Sequence, residues 1–317
     1  MLTILHWVVF HAIIVAMLAV DLGLLQRKAH SPSMREAASW SIVWILAAAL
    51  FAVYVNFQIG STASVDFATA YVIEKSLSVD NLFVFAVIFR YFGVPPAFQH
   101  KVLFWGIIGA IITRATFIFA GVQLLEMFDW MVYVFGAILI YSGMKLLRSH
   151  GRAGDPEKNF LVRWARRILP VTPSFQGDRF FVKAGRQISV TPLFLTLLAV
   201  ESTDIVFAID SVPAVLAITT NLFIAYTSNI FAILGLRALY FLLIQLLVRV
   251  RYLYVGLAVL LAYLGAKFIG ASFVKIPTII SLLIIALILI TTVTASIMRR
   301  EQPSPMSGEG GTIESAS

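Results

Sequence analysis

The chain has 317 residues, of which 60% are hydrophobic and 13% charged, and its formal net charge is +8 at pH 7. A soluble domain has about half apolar and about a quarter charged residues, so this composition excludes a water-soluble globular enzyme and indicates a membrane protein. The chain has no cysteine, which excludes disulfides, iron–sulfur clusters and thiolate metal sites.

Apolar runs long enough to cross a bilayer recur along most of the chain. A hydrocarbon core of about 30 Å needs roughly 20 apolar residues in helical conformation. The sequence therefore predicts an all-α polytopic membrane protein with about nine transmembrane helices. The predicted spans lie at about 2–25, 37–58, 64–91, 101–124, 130–147, 190–219, 222–248, 252–270 and 277–298.

The basic residues predict how these spans are oriented. Most of the 24 Lys and Arg residues follow spans 1, 3, 5, 7 and 9, whereas the alternate loops carry almost none. By the positive-inside rule, the amino terminus lies outside and the carboxyl terminus lies in the cytoplasm. No basic segment precedes span 1, so we expect a retained anchor and not a signal peptide.

The spans and one long loop define the predicted domain organisation. Residues 1–298 form the transmembrane domain, which includes a basic cytoplasmic loop at 148–189. Apolar residues such as Phe160 and Trp164 stand between arginines in this loop. This pattern is typical of an amphipathic helix on anionic lipid, with a partner-binding module as the alternative. The segment 299–317 is rich in Ser, Gly, Pro and Glu and is expected to be a disordered cytoplasmic tail.

Acidic residues interrupt the third and sixth predicted spans. An ionisable residue near the bilayer centre costs about 2.5–3.5 kcal/mol on insertion scales, so such residues are rare unless they have a function. Carboxylate, amide and hydroxyl oxygens are ligands for hard cations such as Mg²⁺, Ca²⁺ or Mn²⁺. The alternative is a set of buried ion pairs that orient the helices.

The predicted cation site comprises a set of ligands and a supporting set. The predicted metal ligands are Glu74, Asp80, Asn81, Glu201, Asp204 and Asp210. The supporting set is Ser78, Ser202, Lys75, Arg114, Arg237, Asn229 and Asp21. For the three basic residues, ion pairing with the acids is an equally strong interpretation. No nucleophile is paired with a base, so we predict neither an enzyme nor a bound cofactor.

Helix geometry predicts breaks in the two acidic spans. At about 100° per residue, Glu74 and Asp80 lie about 120° apart around a straight helix. Both spans are also longer than a bilayer requires. Helices unwound around the acids would direct them to one point and free backbone carbonyls for a cation. We therefore predict discontinuous helices in spans 3 and 6, with Pro213 favouring the second break.

Two sequence patterns recur at the same spacing. Asp80 and Asp204 each stand in the pattern S-x-D-x-x-F, and Arg114 and Arg237 are each followed by Ala. The two pairs have the same separation to within one residue. Because the spans concerned run in opposite directions, we predict an inverted repeat, as in many secondary transporters. Repeat A covers about 37–124 and repeat B about 190–248, with spans 1, 8 and 9 outside them.

Four segments carry a resemblance to a known family. They are the runs from Glu74 to Phe83, Thr191 to Phe194, Glu201 to Pro213 and Ser228 to Phe241. These segments closely resemble the TerC family, including its Alx-type members, and the resemblance covers most of residues 1–298. It implies a multi-pass protein of the bacterial inner membrane that exports manganese, within the LysE-type transporter superfamily. The family name records an association with tellurite resistance.

The expected function is export of Mn²⁺ from the cytoplasm by a secondary transporter, in exchange for protons. The choice of manganese comes from the resemblance, since the residues alone do not separate it from calcium or magnesium. One alternative is export of another cation, such as calcium or an organic cation. Another is a membrane assembly or stress-resistance factor without transport. The expected partners are the manganese ion, protons and the lipid bilayer, and not nucleic acid.

Overall fold

Eleven helices and one β-hairpin make up the part of the chain that the computed structural model describes, which is residues 4–25, 33–149, 160–184, 187–246, 253–271, 273–274 and 276–298. The helices are α1 (Ile4–Leu25), α2 (Met34–Gln58), α3 (Ser61–Phe92), α4 (Pro96–Met127), α5 (Met131–Ser149), α6 (Phe160–Ile168), α7 (Pro192–Leu216), α8 (Leu222–Leu234), α9 (Leu236–Leu246), α10 (Leu253–Gly270) and α11 (Thr278–Met298). Strands β1 (Phe181–Ala184) and β2 (Gln187–Val190) pair antiparallel between α6 and α7. The predicted tail at 299–317 lies outside the described residues.

Five of the described helices are long and apolar enough to cross a membrane, namely α2, α4, α5, α7 and most of α11. The pair α8 and α9 adds a sixth span if it is counted as one helix bent by 43°. The apolar stretches of α1 and α10 are shorter, and the middle of α3 carries Glu74, Lys75 and Asp80. The chain is therefore an integral membrane protein, and the predicted total of nine spans, the orientation and the inverted repeat stay predictions.

The acidic spans are continuous helices. Helix α3 runs without interruption from Ser61 to Phe92, and α7 runs from Pro192 to Leu216 with Pro213 near its end. The prediction of discontinuous helices in spans 3 and 6 is therefore wrong. The breaks were predicted so that backbone carbonyls could bind a cation beside the acids. In the structure, side chains of other helices contact Glu74, Asp204 and Asp210 instead, so the backbone keeps its helical hydrogen bonds. The break between α8 and α9 lies at Gly235 instead.

Tight turns and caps define the ends of the central helices. Gly93 ends α3 in the left-handed conformation (φ 65°), which glycine adopts without steric cost, and Pro96 then begins α4. Asn221 caps α8, because its side-chain Oδ1 accepts hydrogen bonds from the backbone N–H of Phe223 and Ile224. These short turns connect α3 to α4 and α7 to α8.

An aromatic cluster packs α2, α3 and α8 together beside the site. The rings of Phe51 and Phe231 are 4.8 Å apart between centroids, and those of Phe51 and Phe67 are 5.3 Å apart. All three side chains are buried. Ser64 adds a hydrogen bond from its Oγ to the carbonyl oxygen of Ala52, at 2.8 Å. Because lipid tails are as apolar as these side chains, close packing and interhelical hydrogen bonds hold such helices together.

The segment between α6 and α7 docks on the second turn of α4. Lys101 Nζ donates to the backbone oxygen of Asp178 at 2.6 Å and to its Oδ2 at 3.0 Å. This hydrogen bond lowers the pKa of the Asp178 carboxyl below its ordinary value. Thr191 Oγ1 donates to the carbonyl oxygen of Arg179 at 2.7 Å, immediately before α7 begins. The hairpin region is therefore attached to the start of α7.

Helices α5 and α10 are in backbone contact through glycines. A Cβ atom placed on Gly265 would lie 2.7 Å from the carbonyl oxygen of Gly136, and one on Gly143 would lie 2.8 Å from that of Ala258. Real Cβ atoms do not approach other atoms so closely. Small residues are thus required along this interface, as in other tightly packed membrane helices.

We expect Gly265→Ala to separate α5 from α10 and to lower the thermal unfolding midpoint of the purified protein. Overpacking of this kind costs about 1–3 kcal/mol. Gly270→Ala is the matched control, because nothing lies within 4 Å of a Cβ at the end of the same helix. An unchanged midpoint for Gly265→Ala would contradict the backbone contact.

We expect a cysteine introduced at Ser174 to react with a membrane-impermeant maleimide only after the membrane is opened. Ser174 is exposed beside the hairpin, and the chain has no cysteine of its own to interfere. Thr220→Cys, in the exposed turn between α7 and α8, is the control that should react from outside intact cells. The opposite pattern would show that the predicted orientation is inverted.

Candidate functional site

A fully buried arginine joins three helices in the middle of the protein. Arg114 of α4 has no exposed surface, and its Nη1 forms an ion pair with Oε1 of Glu74 on α3. The same nitrogen donates to Ser211 Oγ on α7 at 2.5 Å, and Nη2 donates to Asp204 Oδ1 at 3.4 Å. Hydrogen bonds between charged groups are stronger than neutral ones. Arg114 therefore forms ion pairs with acids that come from both predicted repeats.

Glu74 has a second polar partner on a fourth helix. Asn229 of α8 donates from Nδ2 to Glu74 Oε2 at 3.0 Å, and both side chains are completely buried. We refer to Glu74, Arg114, Asp204, Ser211 and Asn229 as the Arg114 network. It links α3, α4, α7 and α8, and buried groups that are paired in this way avoid the cost of an isolated charge in an apolar interior.

Three buried oxygen atoms in or next to the network have no hydrogen-bond partner among the described residues. They are Asp204 Oδ2, Asn229 Oδ1 and Ser78 Oγ. Ser78 lies one turn after Glu74 on the same face of α3, and the buried Asn81 follows on the next turn. A buried polar atom without a partner costs about 1–3 kcal/mol. Carboxylate, amide and hydroxyl oxygens are the donors that a hard cation accepts.

Glu201 lies one turn before Asp204, within about 60° around the axis of α7. Its carboxylate packs against Gly109 of α4, where a Cβ atom would collide with both carboxylate oxygens. A glycine at this position thus makes room for the acid. The neighbouring predicted residue, Ser202, donates its hydroxyl to the carbonyl oxygen of Ala199 in its own helix.

Asp210 faces a different helix. Ser142 of α5 donates from Oγ to Asp210 Oδ1 at 2.5 Å. Asp210 is six residues after Asp204 on the continuous α7, so the two side chains point about 120° apart. Among the described residues, no three side chains of His, Asp or Glu lie close enough to hold a metal ion. The predicted convergence of the acids at one point is therefore not observed for the described ones.

Among the described residues, Lys75 bonds to a backbone carbonyl and to no acid. Its Nζ donates to the oxygen of Ala232 at 3.0 Å, in the last turn of α8. A Cβ on Gly235 would lie 2.6 Å from this nitrogen, so the break between α8 and α9 leaves room for the ammonium. The carboxyl-terminal end of a helix is its negative pole, which compensates a cation there. Arg237 is buried in the first turn of α9.

Two predicted residues have side chains outside the described part of the structure. The backbone of Asp80 lies in α3 and that of Asp21 in α1. Their roles as ligand and supporting residue stay predictions.

Sequence reasoning did not identify Ser211, Ser142 or Gly109 as part of these contacts. For Ser211 a signal was present, because it follows Asp204 by seven residues and two turns of helix return it to the same face. For Ser142 the only hint was a polar residue inside an apolar span. A glycine inside a helix indicates close approach of a neighbour but not which neighbour.

The fold and the Arg114 network define a polytopic helical membrane protein with a buried charge cluster. The family model described as integral membrane protein TerC family matches residues 59–304. The chain belongs to the TerC family of integral membrane proteins, as the resemblance implied.

Bacterial relatives cover nearly the whole chain. An uncharacterised membrane protein of Myxococcus xanthus is 47% identical over 294 residues, which are 92% of each chain. A protein of Salmonella typhi, named Alx and described as a candidate membrane-bound redox modulator, is 44% identical over 87% of this chain and 88% of its own. Its Escherichia coli K12 counterpart is 42% identical, over 90% and 92%. No solved structure matches the chain.

We expect Arg114→Met to destabilise the protein by about 3–5 kcal/mol, because it leaves buried carboxylates without their charge partner. The measurement is thermal unfolding of the purified protein, with membrane abundance checked in parallel. Arg90→Met, at the exposed end of α3, is the control.

Adding Glu74→Gln and Asp204→Asn to Arg114→Met should recover much of the lost stability. The triple variant has no charge left in the Arg114 network, so no carboxylate there lacks its partner. Equal midpoints for Arg114→Met and Arg90→Met would show that the network does not stabilise the fold.

Proposed function

We propose that this protein is a secondary transporter of the bacterial inner membrane that exports a divalent cation, manganese, from the cytoplasm in exchange for protons. The observation that carries the proposal is the Arg114 network: two fully or nearly fully buried carboxylates, Glu74 and Asp204, face a single guanidinium. A purely structural ion pair needs one acid for each base. The second acid therefore leaves one negative charge, which a mobile cation or a proton can neutralise.

The oxygen atoms without partners favour a small hard ion as the substrate. Asp204 Oδ2, Asn229 Oδ1 and Ser78 Oγ would complete their bonding by coordinating such an ion. An organic cation would require a larger site with aromatic or hydrogen-bonding walls. Manganese in particular rests on the family resemblance, and calcium is the main alternative cation.

In this proposal Arg114 acts as a tethered cation that the substrate replaces. When no ion is bound, its guanidinium pairs with both Glu74 and Asp204 and offsets one of their two negative charges. An entering divalent ion would compete for these oxygens and displace the guanidinium. A carboxylate that has lost its water binds either a proton or a metal ion, and metal binding therefore releases protons. Proton exchange follows from the same two acids.

The relatives named Alx are described as candidate redox modulators, and this name leads to a second reading. This chain has no cysteine, so a redox role would have to act through something other than its own thiols. A transporter that controls the concentration of a redox-active metal would affect redox balance indirectly. An assembly or stress-resistance factor without transport is the remaining alternative.

Asp204→Asn should lower manganese flux into vesicles reconstituted with the purified protein. We expect a loss of at least about tenfold, equivalent to about 1.4 kcal/mol of binding free energy, since the change keeps the shape but removes the charge. Asp129→Asn is the matched control, because Asp129 lies exposed in the turn between α4 and α5. Flux of the parent should also fall as the pH on the entry side falls, because protons compete for the carboxylates.

Two outcomes would contradict different parts of the proposal. If Asp204→Asn and Asp129→Asn carry manganese equally well, the Arg114 network is not the ion site. If the parent moves neither manganese nor calcium in active vesicles, the non-transport alternative is favoured.

A further inference from the structure

Helix α6 has one face against the protein and another that the described structure leaves uncovered. Val162 and Ala165 are buried, with 2% and 0% of their surface exposed, and α6 contacts α7. Phe160, Trp164 and Ile168 are exposed by 69%, 52% and 58%. These three residues recur every four positions, so they form one apolar stripe along the helix.

A basic sector borders the apolar stripe. At about 100° per residue, Arg163, Arg166 and Arg167 fall between about 240° and 340° from Phe160, on the side of the stripe away from the buried face. All three arginines are exposed. None of them forms an ion pair with another described residue. The helix therefore presents guanidinium groups that no described acid compensates, beside an exposed aromatic and aliphatic surface.

The connection to α7 places α6 at the level where a membrane-spanning helix begins. Two residues beyond α6, Pro170 accepts a hydrogen bond at 2.9 Å from the backbone N–H of Val190, and Val171 bridges to the same residue. Helix α7 begins two residues after Val190, at Pro192. A helix of 25 residues is about 37 Å long and exceeds a hydrocarbon core of about 30 Å, so its ends reach the headgroup region.

We infer that the exposed stripe and basic sector of α6 bind anionic lipid headgroups in the leaflet at the start of α7. The stripe enters the boundary between headgroups and acyl chains, and the guanidinium groups bind lipid phosphates. A protein partner would have to match the same charge pattern, whereas the adjoining leaflet already lies at this height. Because α6 contacts α7, bound lipid would hold the helix that carries Asp204. This inference does not depend on which substrate is carried.

The test measures quenching of Trp164 fluorescence by brominated lipids in nanodiscs of phosphatidylcholine with a minor fraction of phosphatidylglycerol. In separate samples, the bromine is carried either by the phosphatidylglycerol or by an equal mole fraction of the phosphatidylcholine. The Trp164→Phe variant gives the signal of the remaining tryptophans, which is subtracted from that of the parent. We expect brominated phosphatidylglycerol to quench Trp164 at least about twofold more than brominated phosphatidylcholine, because arginines select anionic headgroups. Replacing Arg163, Arg166 and Arg167 with Gln should remove the preference while Trp164 stays in the membrane.

The control variant replaces Arg179 and Lys183, exposed basic residues of the neighbouring hairpin segment, with Gln and should retain the preference. Equal quenching by the two lipids in the parent would overturn anionic selectivity. Absence of quenching by either lipid would show that the stripe faces another protein or a second copy of the chain.

Discussion

Charge compensation in a water-free interior is the constraint on which the centre of this protein depends. Glu74 and Asp204 come from helices far apart in the chain, and Arg114 from a third helix forms ion pairs with both of them. Because an uncompensated charge in an apolar medium is so costly, these helices have little freedom to separate or rotate. The network therefore sets the mutual position of α3, α4 and α7.

The same network connects structure and proposed function. Ion pairing and cation binding were alternative interpretations of the acids, but the arrangement of Arg114 allows both. A guanidinium paired with two carboxylates stabilises the protein without its substrate, and among the described residues one oxygen of Asp204 is left without a partner. If the proposed function is correct, Arg114 takes the place of the ion whenever the site is empty, and the protein stays stable without its substrate.

Close packing supports this arrangement from outside the network. Gly109 admits the Glu201 carboxylate between α4 and α7, and Gly235 leaves room for the ammonium of Lys75. Gly136 and Gly265 bring α5 and α10 into backbone contact. Helices in lipid gain little from burying apolar surface, so such close contacts and polar bonds provide most of the specificity.

The sequence by itself determined the membrane character, the approximate positions of most helices, the family and the presence of charge inside apolar segments at Glu74, Arg114 and Asp204, because hydropathy and misplaced charge are local properties of the chain. Which acid meets which base was decided only by the tertiary structure. Asp210 bonds to Ser142 and Lys75 to a carbonyl of α8, and neither partner is near in sequence. The breaks expected in α3 and α7 were wrong for the same reason: Glu74 and Asp204 pair with a distant arginine and Asp210 with a distant serine, so the backbone remains helical.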